Sequence, residues 1–483
     1  MPGKTLSTLA LALLVSTTGP ASAAGDGNPP RIELMLRRTV PITGAENRRF
    51  ELGDRMAHYR VPGVSIAVIE NCRIVDARGF GLKSWGGEPV TPDTLFQAGS
   101  ISKSVTAIGA LRLVEKGVLG LDEDIRRYTK SWRYDGTRGA VTLRQLLGHT
   151  AGTNVAGMKG YEPGAPLPTL AQILAGETPA NTPAIKVDGQ PGSRWSYSGG
   201  GYVVIQSVMR EASDEDFAPL MRALVLSPLR MKASRFDQPL AADRSGSAAH
   251  GTAADGSELS GKWRVYPEQA AAGLWTTPKD LARFAIGLAR SARGEDDAIL
   301  GKEAAAQLMT RGPGNWGLGV DLGPADGPRQ ISHTGRTIGY TSMFVIYPDS
   351  CQGAVVMTNG YDGGWLINEI MRAIGDVYRW PDRKQMPAQA TVPLTDAIAT
   401  RFAGTFRLKD FPTERFRISR NNGGDLYWAR DGHVGRSLLP ESSGRLFSPD
   451  SVMTIEAIDP DEPQATALSL GFGGGTNLAE RVD

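Results

Sequence analysis

Ser100 and Lys103 stand three residues apart in FQAGSISKSVTAIGALRLVEKG, the stretch from Phe96 to Gly117. If the apolar run after Ser100 is a helix, positions i and i+3 share a face, and hydroxyl and amine point into the same space. A serine hydroxyl is a weak nucleophile until a neighbouring base takes its proton. A lysine supplies that base when burial lowers its pKa. The first N–H groups of a helix lack intrahelical partners and carry positive potential, so the N–H of Ser100 is placed to hold a developing oxyanion. Read blandly, the same four residues are an exposed N-cap serine beside a solvated lysine, and the tetrapeptide alone does not decide.

Two further stretches carry suitable chemistry. In PGSRWSYSGGGY (Pro191 to Tyr202), Tyr197 lies in a glycine-rich loop before a helix. Its phenol could relay a proton between Ser100, Lys103 and a leaving group; otherwise it is a packed loop aromatic. In SHTGRTIGY (Ser332 to Tyr340), His333, Thr334 and Gly335 end a strand. A glycine there lets a substrate approach the backbone closely. Taken alone, His333 reads better as a satisfied surface histidine. Asp280 or Asp321 could orient it as in a Ser-His-Asp triad, a weaker arrangement than Ser-Lys-Tyr because nothing else supports it.

The three stretches, in this order, resemble the penicillin-recognising serine hydrolases: DD-peptidases, class C β-lactamases, and their esterase and D-aminopeptidase relatives. TLRQLLGHTAG, AAAGLWTTPKDLARF and WGLGV add to the likeness, which spans about Glu46 to Trp380. The resemblance implies that Ser100 is the acylated nucleophile, Lys103 its base and Tyr197 the proton shuttle. His333, Thr334 and Gly335 then replace the Lys-Thr-Gly of many relatives, and the N–H of Arg336 is the second oxyanion donor. Thr334, Gly335 and Gly199 fall at substrate-binding positions. Relatives carry Tyr-x-Asn where this chain has Tyr197-Ser198-Gly199. The missing amide should weaken recognition of peptides and β-lactams while leaving acyl transfer in place.

Several elements must position these residues. GVSIAVIE and RIVDARGFG read as two strands joined at Asn71 and Cys72, after a helix over Glu46 to Tyr59. Helical signals dominate from Asp122 to Ala270, where the small, polar AADRSGSAAHGTAADGSELSG reads as a surface loop. Strands return at RQISHTG, YTSMFVIYPD and CQGAVVMTNG, followed by a helix with Leu366, Ile370 and Ile374 on one face. The fold class is therefore α+β: an antiparallel sheet flanked by helices, with an inserted helical subdomain. After the linker Pro381 to Pro393, short strands and turns read as a small antiparallel barrel or sandwich. Its Tyr427, Trp428 and His433 have no chemical spacing and read as packing residues. The domain reading is 1–23 a signal peptide, 34–382 the hydrolase and 395–483 the β domain.

Lys4, the apolar run Leu6 to Val15 and the small residues Ala21 to Ala23 form a secretory signal pattern. It implies export to the periplasm or medium and a mature chain starting near Ala24. Cys72 and Cys351 each sit beside a hairpin turn. They form either one disulfide, if the first and last strands are neighbours, or two unpaired thiols. A net charge of +2 over 483 residues, without a basic cluster, argues against nucleic acid as a partner. No later segment is long and apolar enough to span a membrane. No P-loop, H-E-x-x-H or G-x-S-x-G is present, and five scattered histidines make no metal site, so no cofactor is expected. The partner is a small-molecule or short-peptide substrate. Oligomeric state stays open.

Overall fold

The computed structural model describes residues 30–134, 139–382, 385–411, 413–459, 462–472 and 475–483. The signal-peptide reading, residues 1–23, lies outside them. In chain order the elements begin with helix α1 (Leu52–His58) and strands β1 (Gly63–Glu70), β2 (Arg73–Gly81) and β3 (Phe96–Gln97). Helix α2 (Ile101–Glu115) leads into a helical region with α3 (Leu143–Leu147), α4 (Leu170–Ala175), α5 (Gly199–Ser213), α6 (Phe217–Met221) and α7 (Gln269–Ala272). Then come β4 (Trp275–Thr276), α8 (Pro278–Ala292), α9 (Lys302–Leu308), β5 (Ile331–Thr337), β6 (Tyr340–Tyr347), β7 (Gln352–Thr358), α10 (Gly363–Val377) and α11 (Asp396–Phe402).

The main sheet is antiparallel with order β2-β1-β7-β6-β5. Residue alternation gives it two apolar faces. Ile69, Phe344, Ile346, Val355 and Met357 pack with Leu281, Phe284 and Leu288 of α8. Val64, Ile66, Val68, Val345 and Val356 pack with Leu366, Ile370 and Ile374 of α10. Because β1 and β7 are neighbours, the β1–β2 and β6–β7 turns meet, and Cys72 and Cys351 are joined by a disulfide with Cα atoms 5.1 Å apart.

Eight further strands, from Gly404–Leu408 to Gly475–Arg481, close into a barrel in which the last pairs with the first (Ala479 with Leu408). Phe402, Phe406, Phe416, Leu426, Leu438 and Leu468 fill its interior, so it is a packed core and not a ligand container. A polar seam joins the barrel to the rest. Arg38 and Arg55 reach Asp450, and Arg55 also pairs with Glu369 at 2.6 Å.

Two local expectations are corrected. The first helix begins at Leu52, not near Glu46, because the Phe50 N–H bonds to the Leu36 carbonyl instead of starting a helix. The stretch read as a surface loop is buried at Ala248, Ala249 and Thr252. There the backbone bridges Leu95 on one side and Gly360 on the other.

Candidate active site

Helix α2 is buried all round from Ile101 to Leu111, as expected of a helix inside the molecule rather than on it. Ser100 caps its N-terminus with helical dihedrals, which fixes the hydroxyl at the helix mouth. Gly99 just before it has φ +54°, a left-handed conformation that favours glycine. A Cβ on Gly99 would lie 2.6 Å from the Arg336 nitrogen, and one on Gly335 would lie 1.8 Å from the Ala98 carbonyl oxygen. These two glycines let β5 close against the start of α2. In the β5–β6 hairpin, Thr337 pairs with Tyr340 around a two-residue turn. Alternate N–H groups of β5 must then face outward. Ser332, in the outward set, exchanges both backbone bonds with Asp321. Arg336 is in the same set, so its N–H faces the cleft beside the N–H of Ser100.

Lys103 is 3% exposed. Its Nζ lies 2.9 Å from Ser100 Oγ and donates to the Ala271 carbonyl at 2.8 Å. The rings of Tyr197 and Tyr202 stand 5.2 and 5.8 Å away. Among the described residues it makes no ion pair, and burial pulls its pKa down to about 7. Burial pushes the Tyr197 phenol up to about 12, an influence the Ser100 hydroxyl partly offsets. His333 is buried; its Nδ1–H donates to the Thr334 carbonyl at 2.5 Å, and its Nε2 has no partner among the described residues. Burial, helped by Lys103, drives His333 down to about 3, so the ring is neutral. A cleft of about 720 Å³ brings together Ser100, Lys103, Tyr197, His333, Thr334, Gly335 and Arg336.

Gly199 is the site residue the structure does not bring in. It does not line the cleft, and its N–H is spent on the Ala156 carbonyl. A Cβ there would meet Ala156 O and Met158 Cε at 3.1 and 3.2 Å. Ala156, Gly157 and Met158 line the wall instead. The triad reading also fails. Asp280 caps Ala233, Ser234 and Arg283, and Asp321 bonds to Gly323, so neither carboxylate reaches His333.

Sequence reasoning missed His149 and Trp316. His149 is buried, with its ring 4.4 Å from Tyr197 and 5.2 Å from Trp316, and Trp316 lies 5.2 Å from His333. The Ser198 N–H donates to His149 Nδ1 at 3.1 Å, locking the residue after Tyr197. Its one sequence signal is a non-glycine residue directly after a capped helix, and it takes φ +59°. His433, read from the sequence as a packing residue rather than a catalytic one, sits 2.9 Å from Asp362 on the cleft wall.

Comparison with known proteins bears on the family and the fold. Residues 51–374 match the family described as Beta-lactamase. Penicillin-binding protein 4* of Bacillus subtilis is 26% identical over 400 residues, 74% of this chain and 81% of that protein. Esterase EstB of Burkholderia gladioli is 30% identical over 186 residues, 36% of this chain and 46% of that protein. Among solved structures, the octameric penicillin-binding protein homologue from Pyrococcus abyssi superposes with a TM-score of 0.59 at 22% identity, covering 89% of this chain and 98% of that one. D-alanine carboxypeptidase AmpC from Burkholderia cenocepacia gives a TM-score of 0.54 at 23% identity, over 68% of this chain and 96% of that one. With its α+β sheet, its helical insertion and its Ser-Lys pair at the mouth of α2, the chain belongs to the beta-lactamase family of serine hydrolases.

Proposed function

We propose that the protein is an exported hydrolase that forms an acyl-enzyme on Ser100 and cleaves amide or ester bonds, foremost in short peptides containing D-amino acids. The observation that carries this is Lys103: an amine with a pKa of about 7, without a carboxylate partner among the described residues, 2.9 Å from Ser100 Oγ. Ser100 Oγ attacks the substrate carbonyl carbon and its proton passes to Lys103 Nζ. The carbonyl oxygen becomes an oxyanion held by the N–H groups of Ser100 and Arg336. As the oxyanion collapses, the bond to the leaving group breaks, and Tyr197 relays a proton to the departing nitrogen or oxygen. Water then attacks the acyl carbon, its proton passing to Lys103 Nζ; the bond from that carbon to Ser100 Oγ breaks, Oγ takes the proton back, and the acid leaves. His333, neutral and without a carboxylate partner among the described residues, shapes the wall beside the nucleophile.

A second reading, carboxylesterase, is favoured by Gly199. No side-chain amide meets a substrate's acylamide group there, so the loss falls on peptides and β-lactams more than on simple esters. Relatives bearing both names, a penicillin-binding protein and an esterase, are consistent with either substrate class. The signal pattern at residues 4–23 and the disulfide between Cys72 and Cys351 support export to an oxidising compartment. The test is labelling by a fluorophosphonate, followed by turnover of a D-Ala-D-Ala peptide, a D-amino-acid amide, a short-chain ester and nitrocefin. Ser100→Ala should abolish all of it. Undiminished labelling of that variant removes the proposal.

A further inference from the structure

The cleft extends well beyond the chemistry at Ser100. Past Gly335 it runs over the edge of β5 onto the opposite face of the sheet. Thr334 and Arg336 alternate with His333 and Gly335 and so point to that second face. Their β6 partners Met343 and Thr341 continue the floor, and Gly364 and Trp365 of α10 form the facing wall. The Arg336 guanidinium lies 5.3 Å over the Tyr361 ring at the mouth. Met343 and Trp365 are only partly buried, with apolar surface turned into the groove.

The barrel stands behind this wall. Arg436 stacks 3.4 Å from the centre of the Trp365 ring, with Trp428 at 4.6 Å on the guanidinium as well. His433 Nδ1 lies 2.9 Å from Asp362, whose carboxylate also accepts from the Val434 N–H at 3.1 Å. Asp362, at the N-terminal boundary of α10, lines the same cleft. One barrel hairpin therefore grips both ends of the first turn of the wall helix.

We propose that this groove is a substrate subsite for a large apolar group, an alkyl chain or aromatic ring, carried on the acyl or leaving side of the scissile bond. Arg436 and His433 are positioning residues that hold its wall. The proposal rests on Ser100 being the nucleophile. Its floor of Met343 and wall of Trp365 offer apolar contact. Full burial of a methylene favours binding about fourfold. A groove open on one side should give about twofold.

Gly364 provides a clean test. A Cβ there meets only Thr341 Cγ2 at 3.6 Å, an ordinary contact, and Gly364 lies in a helix where leucine is a better helix former. Gly364→Leu should fold and fill the groove. We would measure kcat/KM for p-nitrophenyl esters from acetate to octanoate, and for acetate esters of alcohols of rising length. In one series kcat/KM should climb tens of fold. Gly364→Leu should flatten the climb, lowering kcat/KM for octanoate far more than for acetate. Arg436→Ala should raise KM for the long substrates several-fold with kcat for acetate unchanged. An enzyme that turns over acetate but shows no climb in either series, or whose climb survives Gly364→Leu, overturns the subsite alone. Absence of labelling and turnover in the native protein overturns the Ser100 reading, and the subsite with it.

Discussion

The pH dependence of acylation tests the base assignment directly. Lys103 acts when it is uncharged, and burial holds its pKa at about 7. Near pH 6 about one molecule in eleven then carries the neutral amine, and near pH 8 about ten in eleven do. The second-order rate of fluorophosphonate labelling should therefore rise about tenfold between these points and level off above. The other titratable groups around the hydroxyl are held out of this window: Tyr197 at about 12, His333 at about 3 and His149 well below its ordinary value. Glu268, which heads α7, also titrates in this window: it is buried, neither carboxylate oxygen has a partner among the described residues, and burial raises it to about 7. The Glu268→Gln variant separates the two: its limb must stay where it was. Lys103→Ala should lose labelling by about 10²-fold or more at every pH. A flat rate from pH 6 to 9, or a limb that vanishes with Glu268→Gln, would refute the assignment of Lys103.

Glu268 also makes a stability prediction. Its folded pKa is raised, from 4.5 to about 7. Below about pH 4.5 both states are protonated; above it the unfolded chain ionises while the folded one does not. Stability should fall from about pH 4.5 to 7, by about 3 kcal/mol, and Glu268→Gln should remove that slope in urea titrations at the two ends. Equal slopes in both proteins would count against it. The disulfide closes a loop with a sequence separation of 279. Loop-closure entropy puts its loss on the order of 5 kcal/mol, so reduction or Cys351→Ser should lower the melting temperature markedly. A melt insensitive to reductant sinks that estimate. Gly335→Ala puts a methyl 1.8 Å from the Ala98 carbonyl and 2.5 Å from Ser342 Oγ. It should push β5 away from α2 and cost about 10²-fold in kcat; turnover within about threefold of native would show that the close approach is unnecessary.

How much of this was legible depended on distance along the chain. The Ser100–Lys103 pair follows from a local helical step, and α8 from Thr277 and Pro278 at its start. The disulfide needed one topological condition, β1 beside β7, and that condition holds. Convergence of Tyr197 and His333 on Ser100 is a tertiary fact that no local spacing contains; similarity of whole stretches supplied it. His149 escaped notice because its role comes from a left-handed backbone and ring packing, not from a chemical pattern. Gly199 was misplaced because the tripeptide pattern says which residue is absent, not where its backbone points. The chain at 248–252 misled for a related reason. Small residues suit both exposed loops and tight burial, and here the backbone is clasped on two sides.

Taken together, the charges explain why this site needs no acidic partner for its lysine. Lys103 near neutrality, His333 and His149 as neutral rings, and Tyr197 as a phenol are all set chiefly by burial. A carboxylate beside Lys103 would favour the ammonium form and disable the base. With these groups uncharged at rest, acyl transfer creates a pair of charges: the substrate's oxyanion, held at the N-terminus of α2 between two N–H groups, and the Lys103 ammonium, 2.9 Å from Ser100 Oγ in the resting site. The chemistry is thus built from helix, strand edge and burial, none of which reads the substrate's side groups. Discrimination between substrates must then come from the walls, and the barrel's Arg436 and His433 hold one of them from behind, through Trp365 and Asp362.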